Sequence, residues 1–322
     1  MYARADNGIE VTLADFYEAG REALKLSVVA GMGHMGTVIS EPAVNRPGLA
    51  LTGFMEHFAW DRIQLIGLSE DAYMKSLDLE TRTERFVNMV EAGAYCFIFA
   101  YGQRPSEANI KLAEERGVVL MSSPLPTRRL SAQAVFTLER LTAPRISLYG
   151  TMIEVEGLGV MIEGDPGLGK SETALGLIRR GCALVSDDLT CIRKDVGNNC
   201  LFASASAATA GYMEIRGIGI VNVRRIFGAS ALREEKRLEM VVTLKRLRDI
   251  VDKVERVGQG RRTKEILGVE VPNIVIPVSA GRDLVNLVET AVKAHKLATS
   301  GYDPVSELSE HLRIRAERTS NG

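Results

Sequence analysis

The sequence predicts an α/β fold, with an N-terminal α/β domain over residues 1–143 followed by a second α/β domain over residues 144–322. Segments with helical and with strand periodicity alternate along the first part of the chain. In the second part, a strand-like run passes through a glycine-rich loop into a helix-like run. The length of 322 residues, of which 46% are apolar, also favours two domains over one.

The first domain divides into elements wherever the hydrophobic periodicity changes. Thr12 precedes an apolar helical pattern and is a helix-capping residue type, so a helix is expected from here to residue 25. The other predicted elements are strands over residues 26–30, 63–68, 95–100 and 118–122 and helices over residues 80–91, 106–116 and 127–141. Pro144 follows the last helix, and the domain boundary is placed here because a proline disfavours helical backbone at the preceding residue.

The second domain opens with a strand-rich region, residues 146–162, that leads into the glycine-rich loop. Further strands are predicted over residues 183–186, 189–192, 240–244 and 271–278, with a Gly-Asn-Asn turn at residues 197–199. A helix of about four turns is expected over residues 283–298. Residues 303–315 are expected to form a last helix.

Charge and cysteine usage exclude several classes of protein. The 40 Lys and Arg residues balance 41 Asp and Glu residues, so there is no global electrostatic basis for binding nucleic acid or an anionic membrane. Nowhere do about eighteen apolar residues run together, and no secretory leader is recognisable, so a cytoplasmic protein is expected. The four cysteines form no CxxC pair, which argues against structural zinc and favours core thiols in a reducing compartment.

The glycine-rich loop carries the strongest chemical signal in the chain. It matches a phosphate-binding loop, in which glycines let successive backbone N–H groups point at phosphate oxygens. Lys170 can reach the outer phosphates, Ser171 offers a magnesium ligand, and the following helix directs its positive dipole end at the anion. The predicted nucleotide-binding residues are Gly164, Asp165, Pro166, Gly167, Leu168, Gly169, Lys170 and Ser171.

A second glycine motif, over residues 31–36, matches the dinucleotide-binding fingerprint but is rejected. The residues that follow are β-branched and end in a proline, so no helix can begin there to receive a pyrophosphate. A glycine-rich turn is therefore expected, with His34 as a turn or interface residue.

An acidic pair, Asp187 and Asp188, follows the predicted strand 183–186 and is therefore expected at the edge of the sheet where α/β proteins place ligands. A carboxylate there can hold magnesium, directly or through water, or can take a proton from an attacking hydroxyl. The alternative is that one of the two acids only caps the following turn.

Three further segments carry charged side chains beside glycines. Glu214 and Arg216 alternate with apolar residues, which would place both on one face of a strand, although an ordinary half-exposed strand explains the pattern equally well. The basic loops over residues 256–262 and 277–282 can supply guanidinium groups to phosphate, but arginine-bearing loops are usually only solvated.

Together, these segments resemble the bacterial HPr kinase/phosphorylase family in order and spacing. The resemblance covers the loop with its helix start (residues 164–175), the acidic pair, the string Glu-Ile-Arg-Gly-Ile-Gly-Ile at residues 214–220 and residues 277–282. Residues 45–54 and 62–67 are similar to the N-terminal domain of that family. The string at residues 214–220 is the most family-specific element.

The resemblance implies a bifunctional enzyme. It would use ATP to phosphorylate a serine of HPr, the phosphocarrier protein of the sugar phosphotransferase system. It would also remove that phosphate with inorganic phosphate and release pyrophosphate. The family assembles as homohexamers with a kinase core related to phosphoenolpyruvate carboxykinase, so a homohexamer is expected here. A kinase of small molecules and a non-catalytic nucleotide sensor remain as alternatives.

The resemblance also implies roles for individual residues. Lys170 would act on the phosphates, Ser171 and Glu214 would hold Mg²⁺, and Asp188 would exchange the serine proton as a general base and acid. Arg256 would assist the transfer. The loop that would serve chiefly in dephosphorylation consists of Pro277, Val278, Ser279, Ala280, Gly281 and Arg282.

Two positions depart from the family pattern. Tyr149 stands where the family usually has a histidine, and a tyrosine cannot carry the charge of an imidazole near neutral pH. Pro166 stands where a serine is usual, which removes a hydroxyl and stiffens the loop. The first departure is expected to affect the balance between phosphorylation and dephosphorylation or the pH profile.

Overall fold

The computed structural model describes residues 3–6, 10–249, 262–279, 281–302 and 307. Arg256, Ala280 and, apart from residue 307, the helix predicted over residues 303–315 lie outside this part of the chain. The contacts divide the chain into two compact units: Gly8–Ala143, and Met1–Asn7 together with Pro144–Gly322.

The strands are β1 Ala3–Asp6, β2 Ser27–Ala30, β3 Val44–Asn45, β4 Ile63–Ile66, β5 Cys96–Phe99, β6 Val119–Ser122, β7 Arg145–Tyr149, β8 Thr151–Val155, β9 Leu158–Gly164, β10 Ala183–Ser186, β11 Leu189–Asp195, β12 Cys200–Ala205, β13 Tyr212–Ile215, β14 Gly219–Asn222, β15 Glu235–Arg237, β16 Met240–Arg246, β17 Thr263–Ile266 and β18 Val269–Val278. The helices are α1 Leu13–Gly20, α2 Gly48–Leu51, α3 Leu68–Ser76, α4 Leu79–Glu91, α5 Glu107–Arg116, α6 Thr127–Thr142, α7 Lys170–Arg179, α8 Val223–Phe227 and α9 Leu284–Thr299.

The first unit is built on a five-stranded sheet in the order β2-β6-β5-β4-β3. Strands β3 to β6 run parallel, and β2 pairs antiparallel with β6. Every residue of β4, β5 and β6 is buried, as expected for short apolar strands in a sheet covered on both faces. The predicted capping of α1 by Thr12 is confirmed, because its hydroxyl accepts the Asp15 N–H at 3.2 Å.

The glycine motif at residues 31–36 is a turn, as the sequence predicts. Gly31 has a φ of +78°, and a Cβ atom there would lie 2.2 Å from the Val118 carbonyl oxygen. The chain continues as a single 3₁₀ turn, Met32–His34, so no helix begins where a pyrophosphate would need one.

The second unit contains two larger sheets, in the orders β1-β7-β11-β12-β15 and β10-β8-β9-β16-β18-β17, and the hairpin β13-β14. Helices α7 and α9 share one apolar core with the six-stranded sheet. Residues on its other face, such as Met161 and Val241, share a second core with the five-stranded sheet. In the six-stranded sheet, β9, β16 and β18 run parallel, so their carboxyl ends meet at one edge. This edge carries the candidate site.

Two sequence predictions are corrected by the structure. The prediction that Glu214 and Arg216 share a strand face is wrong: β13 ends at Ile215, residues 216–218 turn, and β14 returns antiparallel. The strand predicted over residues 63–68 ends at Ile66, because α3 begins directly after it. There the Glu70 carboxylate accepts the Gly67 N–H at 3.1 Å, which satisfies a backbone donor at the helix start.

Among the described residues, none of the helices combines the length and apolar character needed to cross a bilayer.

Candidate active site

The phosphate loop connects β9 to α7 at the carboxyl edge of the six-stranded sheet. Gly164, Gly167 and Gly169 have φ values of +151°, +80° and +87°, a range that L-residues with side chains rarely adopt. At Gly164, a Cβ atom would also lie 2.6 Å from the Leu244 carbonyl oxygen of β16. The glycines are therefore required for the loop to curl.

The first turn of α7 is free to bind an anion. Gly169 is the N-cap residue and supplies no side-chain hydrogen bond to the helix start. The first backbone N–H groups of a helix have no partner within the helix, and they lie at its positive dipole end. A polyphosphate on this loop would satisfy them.

Lys170 is the first residue of α7, and its side chain folds back over the phosphate loop. Its Nζ donates to the carbonyl oxygens of Gly164, at 3.0 Å, and Asp165, at 3.3 Å. Leu168 is buried under the loop, and the Thr173 hydroxyl donates to the Gly169 carbonyl at 2.6 Å. Leu168 and Thr173 thus anchor the loop from the protein interior, while the ammonium group of Lys170 is held by the first two residues of the loop.

Asp187 is the residue that joins the loop to the neighbouring elements. Its buried carboxylate accepts hydrogen bonds from the hydroxyls of Thr151, at 2.8 Å, and Ser171, at 3.1 Å. It also accepts the Glu214 backbone N–H at 3.2 Å. Burial raises the pKa of Asp187, and the charge of Asp188 adds to this rise, whereas the hydrogen bonds it accepts lower the pKa.

Asp188, the next residue, is exposed and has a φ of +59°, which is uncommon outside glycine. Its carbonyl oxygen accepts the Gly150 N–H at 2.9 Å, and Tyr149 lies directly opposite Leu189 in the strand register. Tyr149 is 60% exposed. Tyr149, one of the two positions at which the chain departs from the family pattern, therefore lies beside the acidic pair.

The hairpin β13-β14 brings a second charged pair to the loop. Glu214 is exposed on β13 while its backbone holds Asp187. Arg216, in the turn, has its Nη2 atom 3.9 Å from the position that a Cβ on Gly167 would occupy. The guanidinium group therefore lies over the phosphate loop, although the single-strand prediction for this segment was wrong.

The predicted loop at residues 277–282 begins at the same edge. Pro277 and Val278 end β18, and Pro277 pairs with Lys245 of β16, one residue beyond the pair of Leu244 with Gly164. The Arg282 Nη1 atom donates to the Pro277 carbonyl at 3.2 Å. Within the loop, Ser279 and Gly281 are described.

The start of α9 links this loop to the phosphate loop. The Leu284 Cδ1 atom lies 3.6 Å from the place of a Cβ on Gly169. The structure thus brings together the described predicted residues of loop 164–171, the acidic pair, the hairpin and loop 277–282.

Sequence reasoning did not single out Asp187 from Asp188. All residues of β10 are buried on both faces, so in/out alternation along the strand does not distinguish the two acids. Asp187 stays buried after the strand, whereas the backbone turns at Asp188, with a φ of +59°, and leaves that residue exposed.

The residues present fit a nucleotide with Mg²⁺. Mg²⁺ favours oxygen ligands and is usually held by one or two carboxylates together with phosphate oxygens and water. The Ser171 hydroxyl and the Asp187 carboxylate supply such oxygens next to the helix start, and Glu214 supplies another on the hairpin. In the described part of the chain, no group of three or more His, Cys, Asp or Glu side chains is arranged to hold a metal.

A strand that passes through this loop into a helix, with a buried carboxylate on the loop serine, defines a P-loop nucleotide-binding protein with an α/β fold. Residues 140–312 match the family model for the HPr Serine kinase C-terminal domain, and residues 11–138 match the model for the HPr Serine kinase N terminus. The chain belongs to the HPr serine kinase family, and the resemblance and the α/β class expected from the sequence are confirmed.

Curated relatives match the chain along most of its length. The HPr kinase/phosphorylase of Leptospira biflexa is 38% identical over 298 residues, which cover 92% of each chain. The corresponding protein of Treponema pallidum is 37% identical over 91% of each chain, and that of Geobacter sulfurreducens is 34% identical over 97% of each. Among solved structures, the Hpr(Ser) kinase/phosphatase from Coxiella burnetii is 34% identical, with a TM-score of 0.44, and covers 51% of this chain and 99% of its own.

Proposed function

We propose that this protein is a bifunctional enzyme that phosphorylates a serine of HPr with ATP and removes that phosphate with inorganic phosphate, releasing pyrophosphate. The observation that carries the proposal is the buried Asp187 carboxylate on Ser171 of the phosphate loop. It lies in a chain that matches relatives named HPr kinase/phosphorylase over nine-tenths of their length. The function regulates carbon metabolism through the phosphorylation state of HPr.

In the kinase direction, the backbone N–H groups of the loop and the start of α7 hold the phosphates of ATP. Lys170 exchanges its contacts with the Gly164 and Asp165 carbonyls for phosphate oxygens. Ser171 and Glu214 would hold Mg²⁺, which would supply positive charge to neutralise the phosphates, and Asp187 orients the Ser171 hydroxyl. The exposed Asp188 takes the proton of the HPr serine hydroxyl as the serine oxygen attacks the γ-phosphorus of ATP. The bond from that phosphorus to the oxygen bridging it to the β-phosphorus breaks, and ADP leaves.

In the reverse direction, an oxygen of inorganic phosphate attacks the phosphorus of phosphoserine and the bond to the serine oxygen breaks. Asp188 returns a proton to that oxygen, and the product pyrophosphate occupies the phosphate loop. Arg256 and Arg216 stabilise charge on the transferred group, and the loop 277–282 acts chiefly in this direction. With Tyr149 beside the acidic pair, no imidazole at that position contributes to the pH profile.

The proposal includes the setting in which the enzyme works. It is a cytoplasmic homohexamer whose macromolecular partner is HPr, with no role for nucleic acid or membrane. Sedimentation of the purified protein with and without ATP tests the hexamer.

The first experiment mixes the purified protein with HPr, ATP and Mg²⁺ and follows HPr by intact mass. One phosphate is expected on HPr, at a serine by fragmentation. Subsequent addition of excess inorganic phosphate is expected to remove it with release of pyrophosphate. Transfer without removal would restrict the function to the kinase reaction, and the absence of any transfer to HPr would refute the proposal.

A further inference from the structure

An ion pair that has no role in the proposed reaction lies directly before the phosphate loop. Glu163 precedes Gly164 in β9, and its side chain is only 17% exposed. Its Oε2 atom pairs with the Nζ of Lys264 on β17, whose side chain is 23% exposed. The Oε1 atom accepts the hydroxyl of Thr243, the residue directly opposite on β16, at 2.9 Å.

The carboxylate stands in an electrostatically unfavourable place. A polyphosphate bound to the loop adds several negative charges close to a negative charge that water screens only partly. Among the described residues, Lys264 is the one cation within ion-pair distance of Glu163. Without it, Glu163 would oppose the ligand that the next eight residues are shaped to bind.

The same contacts fix the beginning of the loop. Thr243 and Lys264 tie the Glu163 side chain to β16, the adjacent strand, and to β17, two strands beyond it in the sheet. Gly164, the next residue, offers the carbonyl oxygen that holds Lys170. A change in the orientation of Glu163 would therefore move the Gly164 carbonyl that accepts the hydrogen bond from Lys170.

We propose that Lys264 is a positioning residue of the phosphate site: it cancels the charge of Glu163 and so allows this loop to bind highly charged phosphate ligands, ATP and pyrophosphate. The inference rests on the proposed function, because it concerns the ligands of that reaction. Lys264 does not touch the reacting atoms in this account and acts only through Glu163.

The test is a double-mutant cycle on the binding of Mg²⁺-ATP and Mg²⁺-pyrophosphate, measured by titration calorimetry. Lys264→Met is expected to raise both dissociation constants by about tenfold, because it leaves the carboxylate without its cation. Glu163→Gln is expected to bind as tightly as the wild type or more tightly. The double variant Glu163→Gln/Lys264→Met is expected to return to within about twofold of the wild type.

The dissociation constants of the double variant, compared with those of Lys264→Met, distinguish charge compensation from a structural role. If Lys264 only supported the fold, the double variant would bind as weakly as Lys264→Met or more weakly, and the proposal would be wrong. The defect of Lys264→Met is also expected to shrink as salt is added, which a packing defect would not do. In steady state, KM for ATP is expected to rise while kcat stays near the wild-type value.

Lys194→Met is the matched control. Lys194 lies on β11, and its Nζ donates to the Leu267 carbonyl at 3.0 Å in the turn of the hairpin β17-β18, so the change removes a lysine that contacts the same hairpin away from the loop. It is expected to leave both dissociation constants unchanged. Should Lys264→Met fail to fold, Lys264→Arg must bind as the wild type does and Glu163→Gln must not bind more weakly; a weaker Glu163→Gln would overturn the proposal.

Failure of this inference is distinguishable from failure of the proposed function. A wild-type protein that binds neither ATP nor pyrophosphate would refute the function itself. A wild type that binds both, with Lys264→Met indistinguishable from it, would refute only the role of Lys264.

Discussion

Asp187 shows how one buried carboxylate organises a site. It accepts three hydrogen bonds, from Thr151 on β8, Ser171 on α7 and the Glu214 backbone on β13, and so ties three elements to the end of β10. A carboxylate can accept all three at once, and an amide cannot, because it has only one acceptor oxygen. The residue is therefore hard to replace even by its closest isostere.

Asp187→Asn is expected to lower the free energy of unfolding by about 1–3 kcal/mol, because at least one buried donor loses its partner. It is also expected to weaken Mg²⁺-dependent nucleotide binding, since the negative charge beside the Ser171 hydroxyl is lost. Urea unfolding and calorimetric titration measure the two effects. Asp195→Asn, at the end of β11 in the same unit, serves as the control. An Asp187→Asn variant as stable and as tight-binding as the wild type would contradict this reading.

Substitutions of Lys170 and Asp188 are predicted to affect nucleotide binding and phosphate transfer differently. Asp188→Ala is expected to abolish transfer to HPr while nucleotide binding stays nearly intact, because the exposed carboxylate would, in the proposed reaction, only exchange a proton. Lys170→Ala is expected to weaken both, because its ammonium group would contact the phosphates. Single-turnover transfer and nucleotide titration make the comparison. Unchanged transfer in Asp188→Ala would remove this residue from the mechanism.

Tyr95 in the first unit makes the stability of that unit decrease at alkaline pH. Burial raises the pKa of its phenol, and the neighbouring Cys96 adds to the rise. The phenol donates to the Asp61 carbonyl at 2.9 Å. Because the folded pKa lies above the unfolded one, the stability from this group is complete below the ordinary tyrosine range and is lost as the pH rises through the folded pKa.

Tyr95→Phe is expected to reduce the loss of stability at alkaline pH, at the expense of about 1 kcal/mol near neutrality for the missing hydrogen bond. Urea unfolding at a series of alkaline pH values checks this, with Tyr73→Phe as the control in the same unit. An unchanged pH slope in Tyr95→Phe would assign the alkaline transition to other groups, with the buried thiol of Cys96 as the next to examine.

At the scale of elements, the packing of α7 on α9 supports the phosphate loop from the side of the helix. Gly176 lies inside α7, and a Cβ atom there would be 2.4 Å from Cγ2 of Val285. Val285 follows Leu284, whose side chain lies beside Gly169 of the loop. A displacement of α9 would therefore reach the loop.

Gly176→Ala is expected to destabilise the protein by about 1–3 kcal/mol through overpacking. In an open helical position, the same change would stabilise by about 1 kcal/mol, because alanine favours helix more than glycine does. The sign of the change in urea unfolding therefore tests the contact. Adding Val285→Ala is expected to relieve the crowding and restore the free energy of unfolding. A Gly176→Ala variant more stable than the wild type would instead show that α9 moves to accommodate the methyl group without loss of stability.

At the scale of the whole chain, each of the two units has its own apolar cores, but the division does not follow chain order. Strand β1, from the beginning of the chain, pairs antiparallel with β7 of the second unit, with Ala3 opposite Ser147 and Asp6 opposite Arg145. It forms the outer strand of the five-stranded sheet. The beginning of the chain thus contributes to the unit that carries the phosphate loop.

Deletion of residues 1–7 is expected to lower the midpoint of thermal unfolding of the second unit, because β7 becomes an uncovered edge. Mg²⁺-ATP identifies that transition, since a ligand raises the stability of the unit that binds it. A truncation that removes only residues 1–2 keeps β1 and is the matched control. Equal midpoints for the two truncations would mean that β1 does not stabilise the unit.

Local patterns were sufficient for most elements. Residues 80–91 form α4 to within one residue, and the helix expected over residues 283–298 is α9, which begins one residue later, after its N-cap Asp283. The phosphate loop is equally readable, because its chemistry depends on residue types at fixed spacing. The hairpin β13-β14 was not predicted, because the alternation from Met213 to Arg216 indicates a strand but does not show that the chain reverses at residues 216–218.

The sequence by itself determined the α/β class, the phosphate loop and the family, because each is written in contiguous residues. Only the tertiary structure decided which acid of the pair is buried on Ser171, that Arg216 lies over Gly167, that β1 joins the second unit and that Lys264 neutralises Glu163. These contacts join residues far apart in the chain. Their existence depends on strand order and register, which local periodicity does not encode.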